Sequence, residues 1–421
     1  MRIIYNCIFY LLTPLLLLKL WRRGAKTPAY RQRILERFGY ASKSSTIAPL
    51  WVHAVSVGET VAIAPLLMQL LKKHPQLHIL ITTSTPTGAD RVAKLFADYP
   101  NVWHQYCPYD QSGAVSRFVN THKPLGLLIV ETELWPNMLA KCQAKGISVL
   151  LANARMSEKS AAGYAKVASL TSAMLLQLDS LVAQYPSDGE RFKKLGLPAK
   201  KLSISGSIKF DIEVPELMLQ NAAQLRAQIG ERPVLILASS HQSEEQGVLQ
   251  LMDDIWLKHP YLLLIIVPRH PERFDEVAHL AEQVTDLVAR RSKNNLTMQS
   301  KVYIGDTMGE LSMLYAAADL AIVGGSFVAM GGQNPIEAAS VSKGVLMGPQ
   351  QFNFSVICPQ LETAGGMRSC ADYQQLLEHL LALLAEPSTM QEMGMKAQQY
   401  FLSQRGATDY LLRKIEKVLL N

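Results

Sequence analysis

From residue 50 onward, short apolar runs rich in Val, Ile and Leu alternate with segments whose apolar residues recur at helical spacing. The spacing predicts strands over residues 51–55, 78–82, 102–105, 125–130, 148–152 and 181–183, with helices between most of them. Strands that alternate with helices build a parallel sheet covered on both faces. The pattern then restarts, with strands expected over 234–238, 262–267, 287–289, 302–304, 320–323 and 345–347. Between the two runs, residues 206–232 hold Pro215 and a polar helical pattern, "ELMLQNAAQLRAQIGERP", which reads as an interdomain connection. The expected organisation is α/β: two doubly wound domains at 48–210 and 232–400, a linker at 211–231, and a C-terminal helix at 401–421 that caps the body. A chain of 421 residues suits two or three domains of ordinary size. Ligands of such sheets bind outside the carboxyl ends of strands, so the cleft between two facing domains is the expected active site.

The net charge of +7 is local. Residues 19–37 carry seven basic side chains (Lys19, Arg22, Arg23, Lys26, Arg31, Arg33, Arg37) against Glu36, which leaves +1 for the rest of the chain. A basic surface of the kind that binds nucleic acid is therefore not expected. Ahead of this cluster, residues 3–18, "IIYNCIFYLLTPLLLL", hold no charge. The run is near the lower length limit for a membrane span. Basic residues stay on the cytoplasmic side. Residues 1–20 are thus expected to be a membrane anchor, 21–47 a basic juxtamembrane segment that attracts anionic headgroups, and the body cytoplasmic. Asn6, Thr13 and Pro14 also suit a helix that lies on the bilayer without crossing it. A cleaved signal peptide fits less well, with a single Arg2 ahead of the run and no small-x-small site behind it. The five cysteines stand singly with no CxxC pair, so neither a disulfide framework nor a zinc site is expected, and the body suits a reducing compartment.

Several strand ends carry candidate chemistry. "WVHAVSVGET" (51–60) sets Glu59 between a strand and the helical pattern "TVAIAPLLMQLLKK". An acid in a first helical turn complements the macrodipole by about 0.3–1 kcal/mol; the same position suits a general base. "VETELWPN" (130–137) puts Glu131 and Glu133 two apart after another apolar run. On an extended backbone both would point the same way, and Trp135-Pro136 would open a helix; capping and function both stay open there. In "SGSIKFD" (205–211), Lys209 is either at the cleft mouth or a snorkelling surface lysine. "IIVPRHPERF" (265–274) places Arg269 after a strand, between Pro268 and Pro271, to hold a phosphate or carboxylate or to pair with Glu272. "GDTMGELSMLY" (305–315) is a strand-end loop in which Gly309 lets backbone approach a ligand. "GGSFVAMGGQNPIEAA" (324–339) is a glycine-rich loop followed by Asn334 as N-cap, Pro335 at the first helical position and Glu337 in the first turn. Such a helix start is an anion site, with Glu337 placed to accept from ribose hydroxyls. It is neither GxGxxG nor GxxxxGK[ST]. HExxH, GxSxG, the kinase set and a DxD-like metal pair are missing from the sequence, so phosphate charge is left to Arg269 and the helix start without a metal.

Beyond the hydrophobic N-terminus and "RRGAKTPAYRQR", the stretches "HAVSVGE", "TPTGADRV", "ETELWPN", "LANARMSEKSAAGYAK", "GSIKFD", "PRHPERF", "GDTMGEL", "GGQNPIEAA" and "LMGPQQFNF" follow in order along nearly the whole chain. Together they resemble the 3-deoxy-D-manno-octulosonic acid (Kdo) transferases of Gram-negative lipopolysaccharide synthesis. The resemblance implies a GT-B fold, with two Rossmann-like domains facing a central cleft behind an N-terminal hydrophobic anchor helix. It implies CMP-Kdo as donor and the tetraacylated lipid A precursor as acceptor, presented at the cytoplasmic face of the inner membrane. It implies Glu59 as general base, with Glu131 and Lys209 near the transition state; the transfer itself is expected to invert the anomeric centre. CMP contacts would come from Pro268, Arg269, Met308, Gly309, Glu310, Asn334, Pro335, Ile336 and Glu337. No cofactor, metal or nucleic acid is implied. Two segments depart from the family: "SSHQSEE" (239–245), where relatives typically read "STHEGEE", and "VAMGGQNP" (328–335), where relatives often carry a charged residue and a His, as in "GGHNP". Both departures bear on donor contacts.

Two other readings compete. A nucleotide-sugar 2-epimerase has a similar two-domain architecture, but its soluble substrate needs no anchor; stabilisation by UDP-sugars rather than CMP would favour it. A non-catalytic membrane scaffold would have no need of Glu59, Glu131 and Arg269.

Overall fold

The computed structural model describes residues 1–41 and 47–420; residues 42–46 of the basic segment and the last residue of the 401–421 stretch lie outside the described residues. The chain divides into two units, Met1–Asp211 with Arg405–Asn421, and Ile212–Gln404.

In the first unit, β1 (Leu50–His53), β2 (Ile79–Thr83), β3 (Val102–Tyr106), β4 (Gly126–Val130), β5 (Ser148–Ala154), β6 (Ser180–Ala183) and β7 (Leu202–Ile204) form one parallel sheet. Its order is β3-β2-β1-β4-β5-β6-β7. The strand order reverses at β1, between β2 and β4, and open α/β sheets bind ligands at such a switch point. All residues of β1, β2 and β4 are buried, as in a parallel sheet covered on both faces. Alternate side chains feed two cores, with Trp51, Leu127 and Ile129 on one face and Leu50, Val52, Leu128 and Val130 on the other.

The latter face is completed from the far end of the chain. Helix Ala407–Ile415 and the turn after it bring Ala407, Leu411, Ile415 and Leu419 onto it. Asp211 fixes this return: its carboxylate accepts from the N–H groups of Gly406 (2.7 Å) and Thr408 (2.5 Å). The 401–421 stretch is therefore not one capping helix. Its first residues finish helix Pro387–Ser403 of the second unit, and the rest is core of the first.

The second unit holds β8 (Val234–Ser240), β9 (Leu263–Pro268), β10 (Val288–Arg290), β11 (Val302–Ile304), β12 (Leu320–Val323), β13 (Gly344–Met347) and β14 (Met367–Ser369), parallel and in the order β10-β11-β9-β8-β12-β13-β14. Here the switch point is β8, between β9 and β12. Residues 211–231, expected as a linker, contain helix Glu216–Ile229, which buries Ala222, Leu225 and Ile229. Its Arg226 donates to the Ala317 carbonyl and the Asp319 carboxylate, both at 3.2 Å, so the helix is part of the second unit. Each sheet has one strand beyond those expected, β7 and β14. Both are three-residue edge strands without an apolar run, because an edge strand need not be buried on both faces.

The N-terminal helix, Arg2–Lys26, is long and apolar enough over Arg2–Ala25 to cross a membrane. One stripe of it, which includes Tyr5, Phe9, Thr13, Leu16, Leu20 and Gly24, is partly or fully covered. Asn137 donates to Asn6 and Gln111 to Thr13, each at 2.6 Å, and Arg31 donates to the Trp21 carbonyl at 2.9 Å. The other side leaves Ile4, Leu11, Leu15 and Leu18 exposed. The described residues of the 21–47 segment are not a free basic tail: Arg31 stacks on Trp21 (4.5 Å), Arg33 pairs with Glu36 (2.7 Å) and Arg37 is buried.

Candidate active site

The first constellation stands at the switch point of the first sheet. The chain leaves β1 and enters helix Val57–Lys73, with Ser56 as N-cap. Ser56 Oγ accepts from the Glu59 N–H (3.2 Å) and donates to Glu59 Oε1 (2.8 Å), while the Val55 N–H donates to Glu59 Oε2 (2.7 Å). This is a capping box, in which the third helical residue reaches back over the helix start. Glu59 therefore does cap, yet capping does not exhaust its chemistry. Burial raises its carboxyl from 4.5 to about 7; the Ser56 and Val55 hydrogen bonds pull it down, and the Glu131 and Glu133 charges push it up. A carboxylate titrating near neutrality is matched to general-base work.

Glu131 follows β4, directly beside β1. Its backbone is left-handed, with φ 59°, and its N–H donates to the Ala152 carbonyl (2.9 Å). The strand thus turns at this residue and does not run on extended, so the two-residue spacing of Glu131 and Glu133 does not align their side chains. A non-glycine residue held there is strained, and strain of this kind gathers at functional sites. Glu133 instead accepts from Trp135 Nε1 (3.0 Å), and burial raises its carboxyl. Trp135-Pro136 opens helix Pro136–Ala144 as expected, with Asp110 accepting from the N–H groups of Asn137 (2.9 Å) and Met138 (2.8 Å). Lys209 lies in the turn Ile208–Phe210 after β7. Burial pushes its ammonium down, the Glu131 carboxylate pulls it back up and Arg155 pushes it down again. Lys209 is therefore a neighbour of Glu131, half-buried rather than snorkelling, and Glu59, Glu131 and Lys209 form one electrostatic group.

The second constellation stands at the carboxyl ends of β8, β9, β11 and β12. Pro268 closes β9, and Arg269 is exposed, its N–H donating to the Ser240 carbonyl (2.9 Å). Glu272 faces His270 (3.9 Å), not Arg269. The Arg269 charge instead reaches Glu337: burial raises that carboxyl, and a hydrogen bond from Asn334 (3.1 Å) and Arg269 pull it back. Asn334 Oδ1 accepts from the Ile336 N–H (3.1 Å), as a cap does. The helix itself, Ile336–Ser340, starts at Ile336 rather than Pro335 and has five residues. So short a helix offers little dipole, and the cation whose charge reaches its first turn is Arg269. Met308 and Gly309 (φ 85°) sit on the loop after β11. Glu310 is held by Arg291, at 2.9 and 2.8 Å.

Sequence reasoning missed the residue that shapes the glycine-rich loop. Glu244 is fully buried, and its two oxygens accept from four backbone N–H groups: His241 (2.9 Å), Gly325 (2.6 Å), Ser326 (3.1 Å) and Phe327 (3.0 Å). Gly325 has φ 68°, and a Cβ on Gly324 would stand 2.7 Å from the Ser239 carbonyl, so the loop passes directly over the end of β8. Beside it Glu245 accepts from Ser240 and from Arg273, each at 2.7 Å. The signal was the acid pair in "SSHQSEE" just after an apolar run. In the other departing segment, Gln333 donates to His241 Nε2 (3.0 Å), tying the two divergent stretches together.

A family model described as 3-Deoxy-D-manno-octulosonic-acid transferase (kdotransferase) matches residues 32–212. The chain is 36% identical over 423 residues to the 3-deoxy-D-manno-octulosonic acid transferase of Haemophilus influenzae, covering 99% of both chains. It is 35% identical over 425 residues to the enzyme of the same name from Bordetella pertussis, covering 98% of both. Among solved structures, UDP-GlcNAc 2-epimerase from Neisseria meningitidis matches over 88% of this chain and 100% of its own, with a TM-score of 0.59 and 14% identity. That last likeness is one of fold alone.

Proposed function

The chain belongs to the 3-deoxy-D-manno-octulosonic acid transferase family, and on that premise we propose that it transfers Kdo from CMP-Kdo to the tetraacylated lipid A precursor at the cytoplasmic face of the inner membrane. It is a Kdo transferase, hence a glycosyltransferase, with an architecture of GT-B type. The observation that carries the finer reading is Glu59, a carboxylate at a sheet switch point that burial raises to about 7.

In this reading Glu59 takes the proton from an acceptor hydroxyl as the oxygen attacks the anomeric carbon of Kdo. The bond from that carbon to the CMP phosphate oxygen breaks on the opposite face, which inverts the centre. Arg269 balances the charge left on the CMP phosphate. Glu131 orients the acceptor or stabilises positive character at the anomeric carbon, and Lys209 offsets charge beside it. Pro268, Met308, Gly309, Glu310 and the Asn334–Glu337 stretch frame the nucleotide, with Glu337 accepting from ribose hydroxyls. Glu244 holds the loop that carries this frame. No cofactor or metal enters this scheme.

The test is mass spectrometry of the lipid after incubation with CMP-Kdo, generated in situ, and tetraacylated lipid A precursor. A product heavier by one or two Kdo units is expected; unchanged lipid with intact donor and folded protein would sink the reading. A companion prediction concerns Arg269→Ala. Loss of a charged hydrogen bond costs about 1.5–3 kcal/mol, roughly 10- to 100-fold in affinity. Calorimetric titration with CMP should show a weakening of that order, and unchanged affinity would remove Arg269 from the donor site.

A further inference from the structure

A cavity of about 300 Å³ lies within the first unit, between the N-terminal helix and the carboxyl ends of β1 to β3, where His53, Ser84 and Cys107 line it. Phe9, Leu16 and Leu20 of the helix, with Tyr109 and Trp135, give it an apolar wall. Lys19, Arg23 and Arg37 bring three cations and Asp110 one carboxylate. Asp110 is occupied by the helix start at Asn137 and Met138. His53 is kept neutral by burial, which lowers it to about 4.

Arg37 is the unusual member. It is only 4% exposed. Both terminal nitrogens donate to one neutral acceptor, the Ser84 carbonyl, at 3.2 Å, and the guanidinium rests on the Tyr106 ring at 4.2 Å. Among the described residues, its Nε is buried without an acceptor, and no carboxylate pairs with it. A guanidinium withdrawn from water without a counter-charge is costly, and an anion bound beside Arg37 would offset that cost. Lys19 and Arg23, both exposed, likewise have no ion pair among the described residues.

The helix that walls the cavity is tied to the body at Asn6 and at Thr13, and Trp21 near its end is held by Arg31 of the segment that follows it. Held against the body at those two points, it runs along the body in this arrangement. Its exposed apolar side, with Ile4 57%, Leu11 77% and Leu15 61% exposed, suits a helix lying flat in the interface. That sets the cavity at headgroup depth. The floor of the cavity is the end of β1, and Glu59 caps the helix that follows β1, so an occupant lies on the acceptor side of the proposed reaction.

We propose that this cavity binds the phosphate-bearing head of the acceptor lipid, the cations on the phosphate and the apolar wall on the first carbons of an acyl chain, with the N-terminal helix as a wall of the site rather than a tether. The proposal rests on the reading of the chain as a lipid-directed transferase. The test titrates dodecyl phosphate calorimetrically into the full-length protein in dodecyl maltoside, where the neutral alkyl chain is already present and the signal reads the phosphate. Lys19→Gln/Arg23→Gln should bind at least tenfold more weakly than the parent, while Lys72→Gln/Lys94→Gln, an equal charge loss elsewhere on the surface, should bind as the parent does. Dodecyl phosphate should also inhibit transfer competitively against the lipid acceptor and not against CMP-Kdo. Equal binding by all three proteins, or equal weakening in both variants, overturns the site. Inhibition that is not competitive with the acceptor assigns the cavity to a bulk phospholipid and overturns the choice of occupant. Selective binding without any Kdo transfer would instead count against the transferase reading, since the titration needs no catalysis.

Discussion

Glu59→Gln should lower kcat for Kdo transfer by about 10²- to 10⁴-fold, the usual contribution of a positioned general base. Glutamine keeps the shape and one oxygen to accept from the Val55 N–H, while its NH₂ group can donate to Ser56 Oγ where the carboxylate had accepted, so the cap largely persists while the base is gone. In the parent protein, kcat/KM should climb as pH rises to about 7 and level off above it, because the carboxyl must be ionised to accept a proton. The residual activity of the variant should lack that limb. An unaltered pH profile in the variant would take the base assignment from Glu59. Stability offers a second readout of opposite sense. The folded-state carboxyl is raised, from 4.5 to about 7, so the folded protein holds a proton that the unfolded chain has released, and stability falls as pH rises across that window. Glu59→Gln should therefore melt above the parent at pH 8 and together with it at pH 4.5. A variant that melts lower at pH 8 would show that capping outweighs the cost of the buried charge.

Glu244→Ala should be the most damaging single change in the second unit. It removes both acceptors from four backbone donors, of which those of Gly325 and Ser326 are buried. Each buried donor left unpaired costs about 1–3 kcal/mol, set against about 5–15 kcal/mol for the stability of a whole domain. The four share two oxygens, so the losses do not simply add. Glu244→Gln is not a gentle substitute, because one oxygen becomes an NH₂ group aimed at backbone N–H groups. Both variants should show a lower denaturation midpoint, weakened CMP binding by calorimetry, and a larger rise in KM for CMP-Kdo than for the lipid. Parent-like midpoint and CMP affinity in Glu244→Ala would show that the loop after β12 is held by other contacts.

Local pattern carried a large part of this molecule. Among the described residues, the strands other than β7 and β14 lie where apolar runs mark them, and a parallel strand buried on both faces needs an unbroken apolar run, as in "LLII" of β9 or "LAIV" of β12. Helix starts were legible at Pro136, where the ring suits a first helical turn, and at Glu59 beside Ser56. The edge strands β7 and β14 were not legible, because a polar side chain interrupts each of their three-residue runs, "LSI" and "MRS". Nor was the membership of helix Glu216–Ile229, whose polar surface resembles a connector until Ala222, Leu225 and Ile229 are seen to be covered.

For the site, residue types and strand-end positions could be read directly, because strand, turn and helix start follow one another within a few residues. What the charges do there depends on groups far apart in the chain. Glu59 titrates near 7 through burial and the nearness of Glu131 and Glu133, some seventy residues on. Lys209 meets Glu131 because β4, β5, β6 and β7 are neighbours in one sheet. Glu244 reaches Gly325 because β8 pairs with β12, and Asp211 draws the chain end back to the first sheet. Periodicity and propensity act over a turn of helix or a few residues of strand, and they are written in the sequence. Desolvation and charge coupling act through space, so the basicity of Glu59, the shape of the glycine-rich loop and the course of the N-terminal helix across the body were decided only once the chain had folded.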